Sequence, residues 1–333
     1  GPIRSIVIPP QHPDWLLIGS VGGGVWISDT TSWHPANDFM ASLAIGAMVA
    51  DPVQSNIIYA GTGEFLAGTA EGFVPDGLRG NGIFKSTDSG QIWSPLLATQ
   101  LSASIDFTYV NRLAVLADGS ALLAATGTGV HRSTNGGNDW TLVSHPRLAL
   151  DVKAHPTVVT QVLASGFGSA AYSLNGGVVF SRSHGLPESG RVEVAWSASN
   201  PLIAYASVDN NNGEVYKSVD AGANFTKPYT GNNLLAALDG GQWVSQGDYD
   251  NVIWVNPVNP DDVVVGGVDV FRSTDGGTSF SKIGDWAQYQ NNAVSVHADH
   301  HVIVAPRDYD GVITKTIWFG NDGGLFRVDD LNL

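Results

Sequence analysis

One short pattern occurs five times in the chain and restricts its fold more than any other feature. It reads Ser, any residue, Asp or Asn, any residue, Gly, two further residues and an aromatic residue. The copies are Ser86 to Trp93, Ser133 to Trp140, Ser173 to Phe180, Ser218 to Phe225 and Ser273 to Phe280. Subtraction of the serine numbers gives spacings of 47, 40, 45 and 55 residues. Such a period is typical of a fold built from copies of one small sheet.

The repeated pattern, here called the box, predicts a tight turn between two strands. The Asp or Asn side chain accepts hydrogen bonds from the backbone of the turn, and Gly supplies a positive φ that other residues avoid. The aromatic residue then begins the next strand and packs between neighbouring sheets. The residues predicted to close these turns are Asp88, Asn135, Asn175, Asp220 and Asp275. We therefore expect the boxes to be structural.

Each unit of the repeat contains four short apolar runs separated by turn residues, which predicts four β-strands. In the sixth unit the runs lie at 251–255, 262–266, 269–272 and 279–282. Two degenerate units, one at each end of the chain, raise the number from five to seven, and the last one shows only three clear strands. We predict an all-β fold, one seven-bladed β-propeller domain over 1–333 with box hairpins. Its approximate blades are 3–38, 43–97, 107–145, 149–184, 191–229, 250–285 and 300–333.

Composition agrees with a globular all-β chain and limits its partners. The 333 residues include 40 glycines and no cysteine, and 43% are hydrophobic against 14% charged. These values exclude a disordered chain and disulfide or cysteine chemistry. A formal net charge of −15 disfavours nucleic acid as a partner. No apolar run reaches the roughly 20 residues that span a bilayer, so membrane insertion is not expected.

The beginning of the chain bears on where the protein acts. Gly1-Pro2 lacks an initiating Met, a basic segment and an apolar segment, which indicates a processed or excised fragment. An acidic, lysine-poor and cysteine-free chain suits secretion by a bacterium. We expect a secreted, extracellular or cell-surface protein that is either a monomer or part of a larger multidomain chain.

The boxes resemble those of the Asp-box, or bacterial neuraminidase repeat, propellers. This superfamily includes sialidases, xyloglucanase-type glycoside hydrolases, sortilin-like peptide-binding domains and a photosystem assembly factor. The resemblance covers nearly the whole chain and implies the propeller fold. It implies no activity, because the boxes are structural in all of these relatives. The segments 61–64, 297–301 and 320–324 also resemble recurring features of uncharacterised exported bacterial repeat proteins.

The chain departs from the enzymes of this superfamily at their functional motifs. Arg4 lies in Arg-Ser-Ile, whereas a sialidase carries Arg-Ile-Pro near its beginning, and no arginine triad can be assigned. Xyloglucanase-type relatives place one catalytic Asp on each of two propellers, and this chain has one propeller. The resemblance therefore supports the fold more than any reaction.

Function is predicted on the propeller face opposite the boxes, because loops on a rigid scaffold usually carry function. The segment from Phe65 to Asn81 is the longest departure from the repeat, and its Phe73 and Arg79 are predicted ligand contacts. Trp243 and Tyr249 are aromatic residues suited to stacking on sugar rings, and Asp250 adjoins them. The alternative is that the two aromatic residues only cover the end of the core.

Carboxylates on the same face are candidates for glycoside hydrolysis, which needs two carboxyl groups across the scissile bond. The catalytic candidates are Glu64, Asp248 and Asp322. For Asp322 the Asn-Asp-Gly-Gly context equally predicts a turn, and a turn-stabilising role is the alternative for Glu64 as well.

His297, Asp299 and His300 form the densest group of metal-capable side chains, and His297 and Asp299 are also predicted ligand contacts. Adjacent residues of a strand point to opposite sides, so His300 and His301 cannot both face one ion. A hydrogen-bonded role in lining the central channel is the alternative. A Ca²⁺ or other divalent ion on Asp248, Asp250 and nearby carbonyls is a further hypothesis, although no cofactor is required.

Three functions remain open from the sequence. The leading one is a binding module for a glycan or an extended polymer. The second is a glycoside hydrolase or lyase that acts on a polysaccharide through paired carboxylates. The third is a protein–protein interaction scaffold. Binding is favoured over catalysis because no known catalytic motif is intact.

Overall fold

Short antiparallel strands joined by tight turns make up the protein. The computed structural model describes residues 1–29, 31–36, 40–66, 77–143, 146–288 and 295–332. Within these residues the helical segments are three single 3₁₀ turns, at Leu97–Thr99, Ile105–Phe107 and Trp286–Gln288. The strands form an all-β fold in the seven-bladed β-propeller arrangement, which confirms the predicted fold class.

The first four sheets each contain four strands in sequence order. The first has β1 (Ile3–Val7), β2 (Leu16–Ser20), β3 (Gly24–Ser28) and β4 (Trp33–Pro35). The second has β5 (Ile45–Ala50), β6 (Ile58–Thr62), β7 (Ile83–Ser86) and β8 (Ser94–Pro95). The third has β9 (Val110–Val115), β10 (Leu122–Thr126), β11 (Gly129–Ser133) and β12 (Thr141–Val143). The fourth has β13 (Asp151–Ala154), β14 (Val162–Gly166), β15 (Ser169–Ser173) and β16 (Ser181–Arg182).

The remaining sheets differ in strand number. The fifth has β17 (Val192–Trp196), β18 (Ala204–Val208) and β19 (Glu214–Ser218), and a separate hairpin of β20 (Ala236–Asp239) and β21 (Gln242–Ser245) follows it. The sixth has β22 (Val252–Val255), β23 (Val263–Gly266), β24 (Val270–Ser273) and β25 (Ser281–Gly284). The seventh has β26 (His300–Val304), β27 (Ile317–Asn321) and β28 (Gly324–Val328). The three strands predicted for the last unit are thus confirmed.

One predicted strand is replaced by a smaller feature. Four strands were expected in the unit that contains the Ser218 box, but β17 to β19 form a sheet of three. An isolated bridge between Lys217 and Thr226 occupies the position of the fourth strand. The chain after Thr226 leaves the sheet and continues toward the β20–β21 hairpin, so its pairing with β19 ends after that bridge.

All five boxes form the predicted turn. In each box the Ser Oγ donates to the Asp or Asn Oδ1 at 2.7–3.0 Å. The same Oδ1 accepts the backbone N–H four residues later at 2.8–3.0 Å. The glycine that follows has φ between +77° and +95°, a conformation in which other residues are strained. The side chains of the boxes are therefore used within their own turns.

The chain divides into two compact units. The first comprises Gly1–Ala164 and Ser173–Phe180, and the second comprises Ser165–Tyr172 and Ser181–Leu333. The organisation of 1–333 as one domain therefore stays a prediction. The second unit has its own core, in which Tyr205 and Leu235 are fully buried with Val263 in one cluster and Phe319 lies in another. This core supports the elements described next.

Candidate functional site

The second unit contains a cavity of about 420 Å³ beside the β20–β21 hairpin. Its lining combines an aromatic side chain, an imidazole, an amide and two carboxyl groups with a few aliphatic groups. The residues that matter here are Asp239, Val244, Gln246, Trp286, His297 and Asp299. A concave site with one aromatic wall and several polar groups is typical of small-ligand binding.

The hairpin has two chemically different faces. Gly240 and Gly241 both have positive φ, +55° and +84°, and form the two-residue turn that joins its strands. Leu238 pairs with Trp243 across the strands, and the neighbouring pair is Ala237 with Val244. Because side chains alternate along a strand, Trp243 lies on the face away from the cavity that Val244 lines. Trp243 is 46% exposed and Leu238 56%, so this outer face is an apolar ridge.

Hydrogen bonds hold the opposite wall of the cavity. The backbone N–H of Trp286 donates to Asp269 Oδ1 at 2.9 Å, which fixes the single 3₁₀ turn after β25. On the other side, Asn321 Nδ2 donates to the carbonyl of His297 at 2.9 Å. Trp286 was not among the predicted site residues. The sequence did contain a signal for Trp286, because it is an aromatic residue that follows the last strand of a blade and lies outside the box.

Two carboxyl groups meet where the sixth and seventh sheets begin. Asp250 lies two residues before β22 and Asp299 directly before β26, and these two strands contact each other, so the carboxylate of Asp299 acts on that of Asp250. Burial, together with the repulsion from Asp299, raises the pKa of Asp250 well above its usual value, and Arg191 only partly opposes this. Asp299 has φ of +62°, in the left-handed region that non-glycine residues rarely adopt.

Arg191 organises the segment that leads to Asp250. Its Nη1 donates to the carbonyls of Tyr249 at 2.7 Å and Asp248 at 3.3 Å. Its Nη2 donates to Glu193 Oε1 at 2.6 Å, and both side chains of this ion pair are buried. The charge of Arg191 is therefore balanced by Glu193, and its remaining donors position the backbone.

Tyr249 and Asp322, both predicted from the sequence, are brought together with His301. Asp322 Oδ1 lies 2.6 Å from His301 Nε2, and the Tyr249 hydroxyl donates to both Asp322 oxygens at 3.2 Å. The Tyr249 ring is edge-on to the His301 ring, with their centroids 5.0 Å apart. The carboxyl group of Asp322 is thus held by the Tyr249 hydroxyl and the His301 ring, and the Tyr249 hydroxyl is already engaged in this contact.

The remaining predicted catalytic and binding residues that the structure describes do not line this cavity. Glu64 belongs to the first unit, where it is buried in an ion pair with Arg4. Asp248 is exposed, as is Arg79 in the first unit. Phe73 lies outside the described residues. The structure thus leaves Glu64 paired and enclosed rather than open to a substrate.

The predicted metal ligands do not form a three-residue centre. His300 is buried against Phe319, with their ring centroids 5.8 Å apart, and burial lowers its pKa to about 3 with a contribution from His297. Among the residues that the structure describes, no group of three or more His, Asp and Glu side chains is arranged to hold a metal ion. The set His297, Asp299 and His300 stays a prediction as a metal centre, and β26 carries His300 into the core.

Comparisons with known proteins show the fold. No family model matches the chain, nor does any curated protein. A GH74 enzyme from Niastella koreensis superposes with a TM-score of 0.70 at 21% identity, over 100% of this chain and 53% of that one. The GH74 xyloglucanase from Xanthomonas campestris gives 0.72 at 16%, over 99% and 52%. YCF48 bound to a D1 peptide gives 0.61 at 14%, over 98% and 92%.

These likenesses extend over nearly all of this chain, yet the chain spans about half the length of the two GH74 proteins. At such identities they establish a shared propeller fold and no activity. Membership of the Asp-box family stays a prediction. In the described part of the chain, no helix has the length and apolarity needed to cross a membrane.

Proposed function

We propose that this protein is a secreted or cell-surface binding module that holds a saccharide unit of a glycan in the cavity beside the β20–β21 hairpin. The observation that carries this proposal is the lining, which sets Trp286 among Asp239, Gln246, His297 and Asp299. A sugar ring has an apolar face that stacks on an indole and hydroxyl groups that donate to carboxylates and amides. The cavity offers both kinds of contact.

Two tryptophans near the site have different predicted roles. Trp286 lines the cavity, whereas Trp243 lies on the outer face of the β20–β21 hairpin. In this proposal Trp286 stacks on the bound sugar, and Trp243 adds contact only when a longer polymer passes over the hairpin. The two GH74 enzymes whose folds resemble this one support a polysaccharide as the ligand class.

Hydrolysis is a second candidate, favoured by one observation. Asp239 and Asp299 both line the cavity, and hydrolysis of a glycosidic bond needs two carboxyl groups across it. Glu64, by contrast, is buried with Arg4. If the protein is an enzyme, Asp239 and Asp299 are its acid and base.

The test is a titration of the folded protein with xyloglucan and other glucan and mannan oligosaccharides, followed by calorimetry and by assay of released reducing ends. Trp286→Ala should weaken binding about tenfold or more, the loss expected for a central aromatic contact. Trp33→Ala is the matched control, because Trp33 is an exposed tryptophan of the first unit. It should bind like the wild type, and Trp243→Ala should do so for short oligosaccharides.

Equal binding by wild type and Trp286→Ala would contradict the proposed site, and so would the absence of binding to every glycan tested. New reducing ends that disappear in Asp299→Asn would replace the binding role with hydrolysis.

A further inference from the structure

The carboxyl groups of Asp250 and Asp299 lack the partners that buried charges need. Both Asp250 oxygens and Asp299 Oδ1 receive no hydrogen bond from any residue that the structure describes. Asp250 is 0% exposed, so water on the surface does not reach it. Buried carboxylates in proteins are normally hydrogen-bonded, paired with a cation side chain or bound to a metal ion. The neighbouring Asp299 carboxyl group can hydrogen-bond to Asp250 only when one of the two groups carries a proton.

A cationic side chain does not balance the pair either. The cation that acts on Asp250 is Arg191, but its Nη2 is 2.6 Å from Glu193 Oε1, and that carboxylate is itself buried. Arg191 and Glu193 cancel in charge. When both are ionised, Asp250 and Asp299 therefore add two uncompensated negative charges to the beginning of β22 and β26.

A single proton shared by the two carboxyl groups would neutralise only one of the two charges and satisfy only some of the oxygens. One proton makes one hydrogen bond between one oxygen of each group, which leaves the second Asp250 oxygen without a partner. Asn321 supplies a further acceptor: its Oδ1 is fully buried without a donor among the described residues. Its Nδ2 donates to the carbonyl of His297, which places the amide beside the segment that leads to Asp299.

We propose that Asp250 and Asp299 bind one divalent cation of the oxygen-preferring class, Ca²⁺ or Mg²⁺, at the wall of the cavity. Two carboxylates match its charge, and hard cations take carboxylate, amide and water oxygens. Asp299 lines the cavity, so one of the two proposed ligands is open to an ion from solution. The left-handed backbone of Asp299 is an unfavourable conformation that ion binding would offset.

The experiment uses the whole chain after treatment with a chelator. Calorimetry with CaCl₂ and with MgCl₂ identifies the preferred ion, and Tb³⁺ luminescence excited through tryptophan reports the position, because Trp286 lines the same cavity. We expect one site per chain and a higher Tm in the presence of the ion. Asp250→Asn and Asp299→Asn should each weaken the affinity about tenfold or more, since the ligand charge tunes the affinity.

Asp239→Asn is the matched control, because Asp239 lines the cavity but is exposed to water. It should bind the ion like the wild type, which separates the buried pair from general attraction to an acidic protein. Asp250→Asn removes the repulsion between the carboxyl groups and should fold without the ion. If it does not fold, Asp299→Asn, at a partly exposed position, decides alone.

The proposal is overturned if wild type binds none of the three ions at millimolar concentration, or if Asp299→Asn binds as tightly as Asp239→Asn. The cation site does not depend on the saccharide. Ion binding without glycan binding would therefore reject the proposed function and leave the metal site in place.

Discussion

Replacing Glu214 with Gln should destabilise the protein by about 3 kcal/mol at neutral pH and by much less in acid. Glu214 is 4% exposed at the beginning of β19. It accepts hydrogen bonds from Lys227 Nζ at 2.6 Å, Asn210 Nδ2 and the Tyr216 hydroxyl at 2.8 Å, and Asn211 Nδ2 at 3.1 Å. A glutamine at this position would present an amide NH₂ group to some of these donors.

The magnitude follows from the pKa of Glu214. Burial alone would raise it, but the hydrogen bonds from Lys227, Asn210 and Tyr216 outweigh burial and lower it from 4.5 to about 2. A pKa difference of one corresponds to about 1.4 kcal/mol, so this lowering corresponds to about 3 kcal/mol. Because the folded state has the lower pKa, the stabilisation is complete above about pH 5 and is lost as the pH falls from there toward 2.

The measurement is urea unfolding of wild type and Glu214→Gln, followed by tryptophan fluorescence at several values between about pH 3 and 8. Glu188→Gln is the control, because Glu188 pairs with Arg182 at 2.9 Å but is 83% exposed. Such surface pairs contribute about 1 kcal/mol or less. An effect of Glu214→Gln no larger than that of the control, or one independent of pH, would refute the reasoning.

Two further pairs of substitutions, each a test and its control, examine the turns. Ser218→Ala removes a buried hydroxyl that accepts from Gly222 N and donates to Asp220 Oδ1, so the free energy of unfolding should fall by about 1–2 kcal/mol. Ser279→Ala, which loses an exposed bond to Asp275, should cost less, and equal losses in denaturant unfolding would contradict this role. Gly185→Ala places a Cβ 2.0 Å from the Phe225 carbonyl at φ +85° and should cost about 2 kcal/mol or more. Gly240→Ala, with φ +55° and open space, should cost about 1 kcal/mol; similar Tm values for both variants would argue against the backbone contact.

The fold could be predicted because its information is local. Each box closes its turn with hydrogen bonds that span four residues or fewer, so the pattern determines the turn wherever it occurs. The spacing of the boxes then determines where strands fit, and the four runs predicted in the sixth unit overlap β22 to β25, the last of them by only two residues. The β20–β21 hairpin was missed, although Asp239-Gly-Gly-Gln242 is a strong turn signal, because its strands are short and lie outside the repeat.

The site was harder to predict because its contacts join distant positions. Asp250 meets Asp299, and Tyr249 meets Asp322, 73 residues further along the chain. The sequence identified these four residues as candidate site residues on one face of the propeller, yet their pairing depends on the packing of whole sheets. Trp243 shows the same limit, since its position on the outer face follows from the register of a hairpin that the sequence pattern did not predict.

The β20–β21 hairpin is a sheet of its own and belongs to none of the seven larger sheets. It nevertheless supplies one wall of the cavity through Asp239 and Val244. A wall built from such an appended element can change in length and composition while the hydrogen bonds of every blade stay the same. In the proposed binding module, ligand preference can therefore diversify, in evolution or by grafting of other hairpins, without loss of the scaffold that carries it.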